Sequence, residues 1–210
     1  MKTLALLLCT AVCPLAFPQP AKLINLPAPQ TSGGMPLMQA LKSRHTSRAF
    51  SPKPLPKQVL SNLLWAAFGI NRPGEGKRTA PSAHNWQEVD IYVALPEGLY
   101  VYVPKGHKLK RVLAEDIRAL TGTQTFVKDA PATLVYVADF AKMGNGSEAS
   151  KTFYSAANTG FIGQNVYLFC ASEGLATGVR GLIDREKLGQ KMGLRPEQHI
   201  VLAQSVGYPK

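Results

Sequence analysis

Residues 42–50, "KSRHTSRAF", pack Lys42, Arg44, His45 and Arg48 together before the chain turns apolar at Ala49 and Phe50. Guanidinium groups bind a phosphate dianion bidentately, and the Thr46 hydroxyl adds a small donor beside them. Arg48, a turn beyond Arg44, can reach a different part of the same ligand. The competing reading is a solvated basic helix end, which the helix dipole favours. Two further stretches carry related chemistry. In "APSAHNWQ", residues 80–87, the Asn85 amide offers a donor and an acceptor, Ser82 offers a hydroxyl, and Gln87 can brace the loop. Pro81, Ser82 and Asn85 would equally make an ordinary turn ahead of a strand. In "GLATGVRGLID", residues 174–184, Gly178 and Gly181 permit a tight backbone path whose N–H groups can approach a planar ligand. A helix C-cap at Gly174 followed by a loop is compatible with that. His84 has no Asp or Glu at a spacing that marks an acid–base dyad, so it reads as a loop histidine.

The elements that must position these stretches follow from periodicity. "PLMQALKSRH" predicts a helix with Leu37, Met38 and Leu41 on one face, and "PLPKQVLSNLLWAAFGI" a stronger one, opened by Pro and closed by Gly69, both facing the core. "VDIYVALPEGLYVYVP" predicts a β-hairpin turning at "PEG", and "ATLVYVADF" and "HIVLAQSVGYP" predict strands. A helix is expected between the hairpin and the first of those strands. Residues 151–174 are apolar on most faces and predict a centrally buried helix, and "REKLGQKMG" predicts a short amphipathic one. Asn158, Gln164 and Asn165 make a membrane span through 151–174 expensive. Helices and strands mixed in this way predict an α+β layered domain with a mostly antiparallel sheet.

A chain of 210 residues suits one such domain, and 45% hydrophobic with 18% charged content argues against disorder. With 24 Lys+Arg against 13 Asp+Glu the formal charge is +11, which favours anionic ligands without choosing among phosphate, nucleic acid and lipid. Residues 1–21 join Lys2 to an apolar run and then small and Pro-rich residues, the pattern of a signal peptide, so export to the periplasm or secretion is expected. Cys9 and Cys13 follow Leu8 and Val12, which are larger than lipoprotein processing sites usually accept. Removing residues 1–21 deletes one charge, Lys2, taking +11 to +10, and leaves Cys170 alone, without an intramolecular disulfide. Residues 22–36 read as a linker or an N-terminal arm, and 37–210 as the domain.

The three stretches, in this order and with the closing "GYPK", resemble the nitroreductase-like FMN-dependent oxidoreductases over about residues 37–210. Within that family, "LLWAAFGINRPGEGKRTAPSA" resembles the branch of azoline dehydrogenases, the thiazole- and oxazole-forming oxidases. That branch carries an adjacent Lys-Tyr pair near its active site, and no Lys-Tyr dipeptide occurs here. The resemblance implies a three-layer fold with helices flanking the sheet. It further implies an entwined homodimer with two flavins at the interface. Carried over residue by residue, it puts Arg44 and Thr46 on the FMN phosphate, His45 near the ribityl chain or phosphate, and Arg48 at the N1/O2 edge. It puts Ser82 and Asn85 at the pyrimidine edge, and a backbone N–H of Val179, Arg180 or Gly181, with Arg180 the matching position, at N5. Many relatives continue beyond "GY" into a segment with a further phosphate ligand, a role that Lys210 alone could fill here. Hydride exchange at N5 by ping-pong kinetics, with NAD(P)H as a possible donor, needs no side-chain nucleophile, and neither a metal nor nucleic acid is expected. Tyr100, Tyr102, Phe126 and Phe153 are candidates to shape the space for a small-molecule substrate. The rival classes are a flavin-binding module without turnover and a basic protein that docks on polyanions or membrane surfaces.

Overall fold

The computed structural model describes residues 22–210, and the expected signal peptide lies outside them. Seven strands form one sheet in which every pairing is antiparallel. They are β1 (Leu23–Asn25), β4 (Val89–Leu95), β5 (Gly98–Val103), β6 (Lys108–Leu113), β7 (Ala132–Asp139), β8 (Ala176–Arg180) and β9 (Gln198–Gly207). Their order across the sheet is β1-β6-β5-β4-β7-β9-β8. The interior strand β7, between β4 and β9, is buried at every residue, as the run "ATLVYVAD" requires. The hairpin β4–β5 turns through Pro96 and Glu97, with Leu95 opposite Gly98.

Helices α1 (Leu37–Ser43), α2 (Lys57–Phe68) and α3 (Glu148–Ser172) lie over one face, and α4 (Arg185–Met192) lies over the other. A Pro56 start and a Gly69 stop bound α2, which buries Leu60, Leu63, Leu64, Ala67 and Phe68 against β4, β7 and α3. The Ser147 hydroxyl accepts from the Ser150 N–H to cap α3, and the left-handed Gly174 follows its end. Across the sheet, Ile117, Ile183, Leu188 and Met192 pack on Tyr92, Val135, Val137 and Ile200. Three layers of this kind make an α+β fold.

Four details depart from the sequence expectations. No α-helix fills residues 105–131; that segment holds β6 and short 3-10 turns at Arg118–Leu120 and Thr125–Lys128. Residues 22–36 are not only an arm, because β1 extends the sheet along β6, with Ile24 opposite Leu109. Between α2 and the second motif, β2 (Ile70–Arg72) and β3 (Lys77–Arg78) form a separate two-stranded ribbon. Helix α1 buries only Ala40 and turns Leu37, Met38 and Leu41 outward instead of toward the core.

Candidate functional site

The first and third motifs meet on Tyr167 of α3. Its hydroxyl accepts from the Val179 N–H at 3.0 Å and exchanges a hydrogen bond with Thr46 Oγ1 at 2.9 Å, while the Arg44 guanidinium carbon lies 5.2 Å from its ring centre. β8 is the sheet's last strand, so its outer edge needs partners. The Ser47 N–H donates to Thr177 O at 2.9 Å, laying the first motif along that edge. Gly178 permits the approach, since a Cβ there would come within 2.8 Å of Ser47 O. Sequence reasoning missed Tyr167, an aromatic in a long apolar helix with no pattern to set it apart.

The same edge decides which backbone groups face out. Thr177 and Val179 use their outward groups on Ser47 and Tyr167, so alternation turns the Arg180 N–H inward to β9 and the Gly181 N–H outward. "ATGVR" is therefore a strand and not a turn. The Gly181 N–H has no acceptor among the described residues. The Arg180 side chain is only 6% exposed. It donates to Thr121 O at 3.1 Å, Thr121 Oγ1 at 2.8 Å and Ser205 Oγ at 2.8 Å, with Phe126 beneath it. Burial lowers its pKa to about 10, so it stays charged at neutral pH and ties β8 and β9 to the 121 turn.

The Arg44 and Arg48 guanidinium groups make neither an ion pair nor a hydrogen bond to any acceptor among the described residues, and Arg48 is exposed. Lys210 joins them through the register: Phe50 bridges Pro209, and the Ser51 N–H donates to Tyr208 O at 2.9 Å, which carries Lys210 alongside Ala49. His45 is exposed, holds Nδ1 2.9 Å from Ser43 O, and borders a small hollow of about 150 Å³ beside Cys170 and Pro209. Burial pushes the Cys170 thiol well up, so it stays protonated.

The second motif sits elsewhere on α3. The Ala83 N–H donates to Asn158 Oδ1 at 3.2 Å, and Asn158 Nδ2 donates to the fully buried Glu88 at 2.8 Å. Asn158 and Tyr167 are nine residues apart, about 13 Å along a helix, so one chain does not bring this motif together with the other two. The loop holds His84, Asn85 and Gln87 at positive φ, a costly backbone for non-glycine residues. Gln87 braces it, accepting from Arg78 Nε at 2.7 Å and donating to Gly76 O and Asn85 Oδ1. Ser82 Oγ accepts from the Gln87 N–H at 2.8 Å and donates to Glu88, so this hydroxyl is committed inside the loop. Asn85 is exposed with its Nδ2 unpartnered, and His84 stacks on Trp86 at 4.5 Å. Of the four candidate aromatics, Tyr100 and Tyr102 are 3% and 4% exposed and belong to the core, and Phe126 packs on Phe50. Phe153, 68% exposed, adjoins the Tyr154 ring that packs against Trp86.

A model of the nitroreductase family matches residues 41–208. The chain belongs to the nitroreductase family. Members of this family of oxidoreductases generally use FMN. A nitroreductase-like protein of Methanocaldococcus jannaschii is 32% identical over 151 residues, covering 67% of this chain and 76% of its own. A nitroreductase-like crystal structure from Ralstonia eutropha superposes with a TM-score of 0.86 at 43% identity, covering 92% of this chain and 95% of that one. An Escherichia coli microcin synthetase complex shares the fold, with a TM-score of 0.69 at 19% identity over 86% of this chain and 76% of that one. No group of metal-ligating side chains occurs among the described residues, and no described helix is long and apolar enough to cross a membrane.

The donor set fits FMN. Arg44 and Arg48 lack acceptors, the Gly181 N–H faces outward, and the Asn85 amide is exposed, so a dianionic phosphate and a planar head bearing both donors and acceptors meet the groups that remain free.

Proposed function

We propose that this nitroreductase-family protein is an FMN-dependent oxidoreductase, exported to the periplasm or secreted, that works as a homodimer. The observation that carries the reading is the junction at Tyr167, where Arg44, Thr46 and the outer edge of β8 converge and the Arg44 guanidinium has no acceptor among the described residues. When bound, FMN would supply hydride chemistry at N5, with NAD(P)H as a donor and ping-pong exchange with a second substrate as the expected kinetics.

This chain's residues do the rest. Arg44 and Lys210 would neutralise the phosphate, Thr46 would donate a hydrogen bond to it, and His45 would hold the ribityl end. Arg48 would serve the N1/O2 edge, where a fixed cation would stabilise negative charge and so raise the potential. The Gly181 N–H would donate toward N5, with the Val179 N–H held by Tyr167. The loop of Ser82 and Asn85 stands about 13 Å away along α3, which suits a site completed by the same loop of a second copy. Phe153, beside Tyr154 and Trp86, shapes the space that excludes water. Residues 63–83 favour the azoline-dehydrogenase branch, while the missing Lys-Tyr pair argues against azole formation as the reaction.

Anaerobic addition of NAD(P)H to the purified protein should bleach its flavin absorbance, and a nitroaromatic acceptor should restore it. Unchanged absorbance with either donor would reduce the protein to a flavin-binding module. Retention on heparin that collapses with salt, in a protein that takes up no FMN, would instead favour polyanion docking.

A further inference from the structure

A cleft of about 560 Å³ lies between α2, α3 and the arm of residues 22–36, a size typical of small-molecule pockets, roughly 300–1,000 Å³. Hydrogen bonds build its outer wall. The Gln30 N–H donates to Asn62 Oδ1 at 2.9 Å and Ser61 Oγ donates to Pro27 O at 2.6 Å, tying the arm to α2. The Met35 N–H donates to Ser172 Oγ at 2.7 Å, tying it to α3. Between these ties Gly33 and Gly34 adopt φ of +101° and +81°, and a Cβ at Gly34 would lie 2.7 Å from Ser172 Oγ. The strap thus bends around space that it does not fill.

The lining is unlike the rest of the molecule. With 24 Lys+Arg against 13 Asp+Glu in the chain, no Lys, Arg or His borders the cleft, and its one charged side chain is Glu173. Glu173 has no ion-pair partner among the described residues. Asn165 spends Nδ2 on Ala67 O and Asn71 spends Oδ1 on Arg72, leaving one amide atom of each for a ligand. Trp65 spends its indole N–H on Ile70 O at 3.2 Å, so it offers the cleft only apolar ring surface. On α3, Tyr167 meets the arginine motif, while Asn165 and Leu168 line the cleft.

We propose that this cleft is a second binding site, separate from the flavin site, for a sugar or amino sugar. Ring hydroxyls match the free amide atoms, the apolar face of a pyranose packs on the Trp65 ring, and an ammonium pairs with the isolated Glu173 carboxylate. The same carboxylate repels acidic sugars.

The test uses the full FMN-loaded protein with labelled tryptophan indoles, Trp65→Phe assigning the two signals. Glucose and glucosamine should each shift the Trp65 indole and leave Trp86 in place. Glucosamine should bind about threefold to tenfold tighter than glucose, and glucuronate should produce no shift. Glu173→Gln, at an exposed position, should bring glucosamine down to the affinity of glucose, while Arg44→Ala should change neither. The proposal is overturned if Trp65 stays unmoved to about 50 mM of either sugar, a weaker binding than a millimolar site allows. It is equally overturned if glucuronate shifts Trp65 as strongly as glucosamine, or if Arg44→Ala abolishes the response.

Discussion

Substituting Tyr167 by Phe takes one oxygen from the site and leaves the ring beneath Arg44. Two hydrogen bonds meet at that oxygen, from the Val179 N–H and with Thr46. Their loss should weaken FMN binding by about 1 kcal/mol, roughly fivefold, with the fold intact; titrating FMN into apo-protein measures it, and an unchanged affinity would remove Tyr167 from the site. Arg44 and Arg48 should separate by role. Arg44→Ala removes a charge-assisted bidentate contact worth about 2–3 kcal/mol, so FMN affinity should fall roughly tenfold to a hundredfold while the flavin potential barely moves. Arg48→Ala should instead lower the two-electron potential by tens of millivolts, about 30 mV for each 1.4 kcal/mol, with a smaller loss of affinity. Equal effects of both substitutions on both quantities would make the cluster a diffuse basic patch. Arg44, Thr46 and Arg48 stand out in the sequence because charge and hydroxyls at close spacing are the pattern of an anion site. Tyr167, Asn158 and Glu88 do not, since Tyr167 meets Thr46 and Asn158 meets Glu88 across separations of 121 and 70 residues.

At the scale of elements, the arm is held by a chain of hydrogen bonds through His107. Ser61 Oγ donates to Pro27 O, so His107 Nε2 donates to Ser61 at 2.7 Å, and the Tyr102 hydroxyl at 2.8 Å donates to Nδ1. This is neutral imidazole, and burial lowers the His107 pKa below its usual value. Because the folded state binds this proton less readily than the unfolded chain, the contribution to stability is full above about pH 6.5 and is lost as pH falls through the lowered value. His107→Asn, which keeps a residue suited to the positive φ of 47° there, should therefore flatten the fall in Tm between about pH 7 and 5. A fall as steep as that of the parent protein would show that another group carries it. The long helices, the hairpin and the buried strands could be read from sequence because periodicity repeats over enough residues to be seen. β1 and β8 could not, because edge strands of three and five residues are too short for a pattern, and Gly178 in "ATGVR" imitates a turn. β6, "KLKRVL", is a polar strand stabilised by its neighbours on both sides.

For the whole molecule, the misread face of α1 carries the argument for assembly. Leu37, Met38 and Leu41 stand exposed beside α3, which itself exposes Phe153 and Phe161. Apolar surface of this kind suits the interface of the proposed homodimer, and a shared site would account for the separation of the two motif loops along α3. Light scattering of the FMN-loaded protein should report twice the protomer mass, and Met38→Glu should shift it toward monomer with loss of FMN. A fully FMN-loaded monomer would contradict the shared site. The most direct measurement of the central claim is the cofactor itself. Purified protein, denatured and filtered, should release FMN and not FAD, close to one per chain, with flavin absorbance bands present beforehand. A colourless protein that takes up no added FMN would contradict the account.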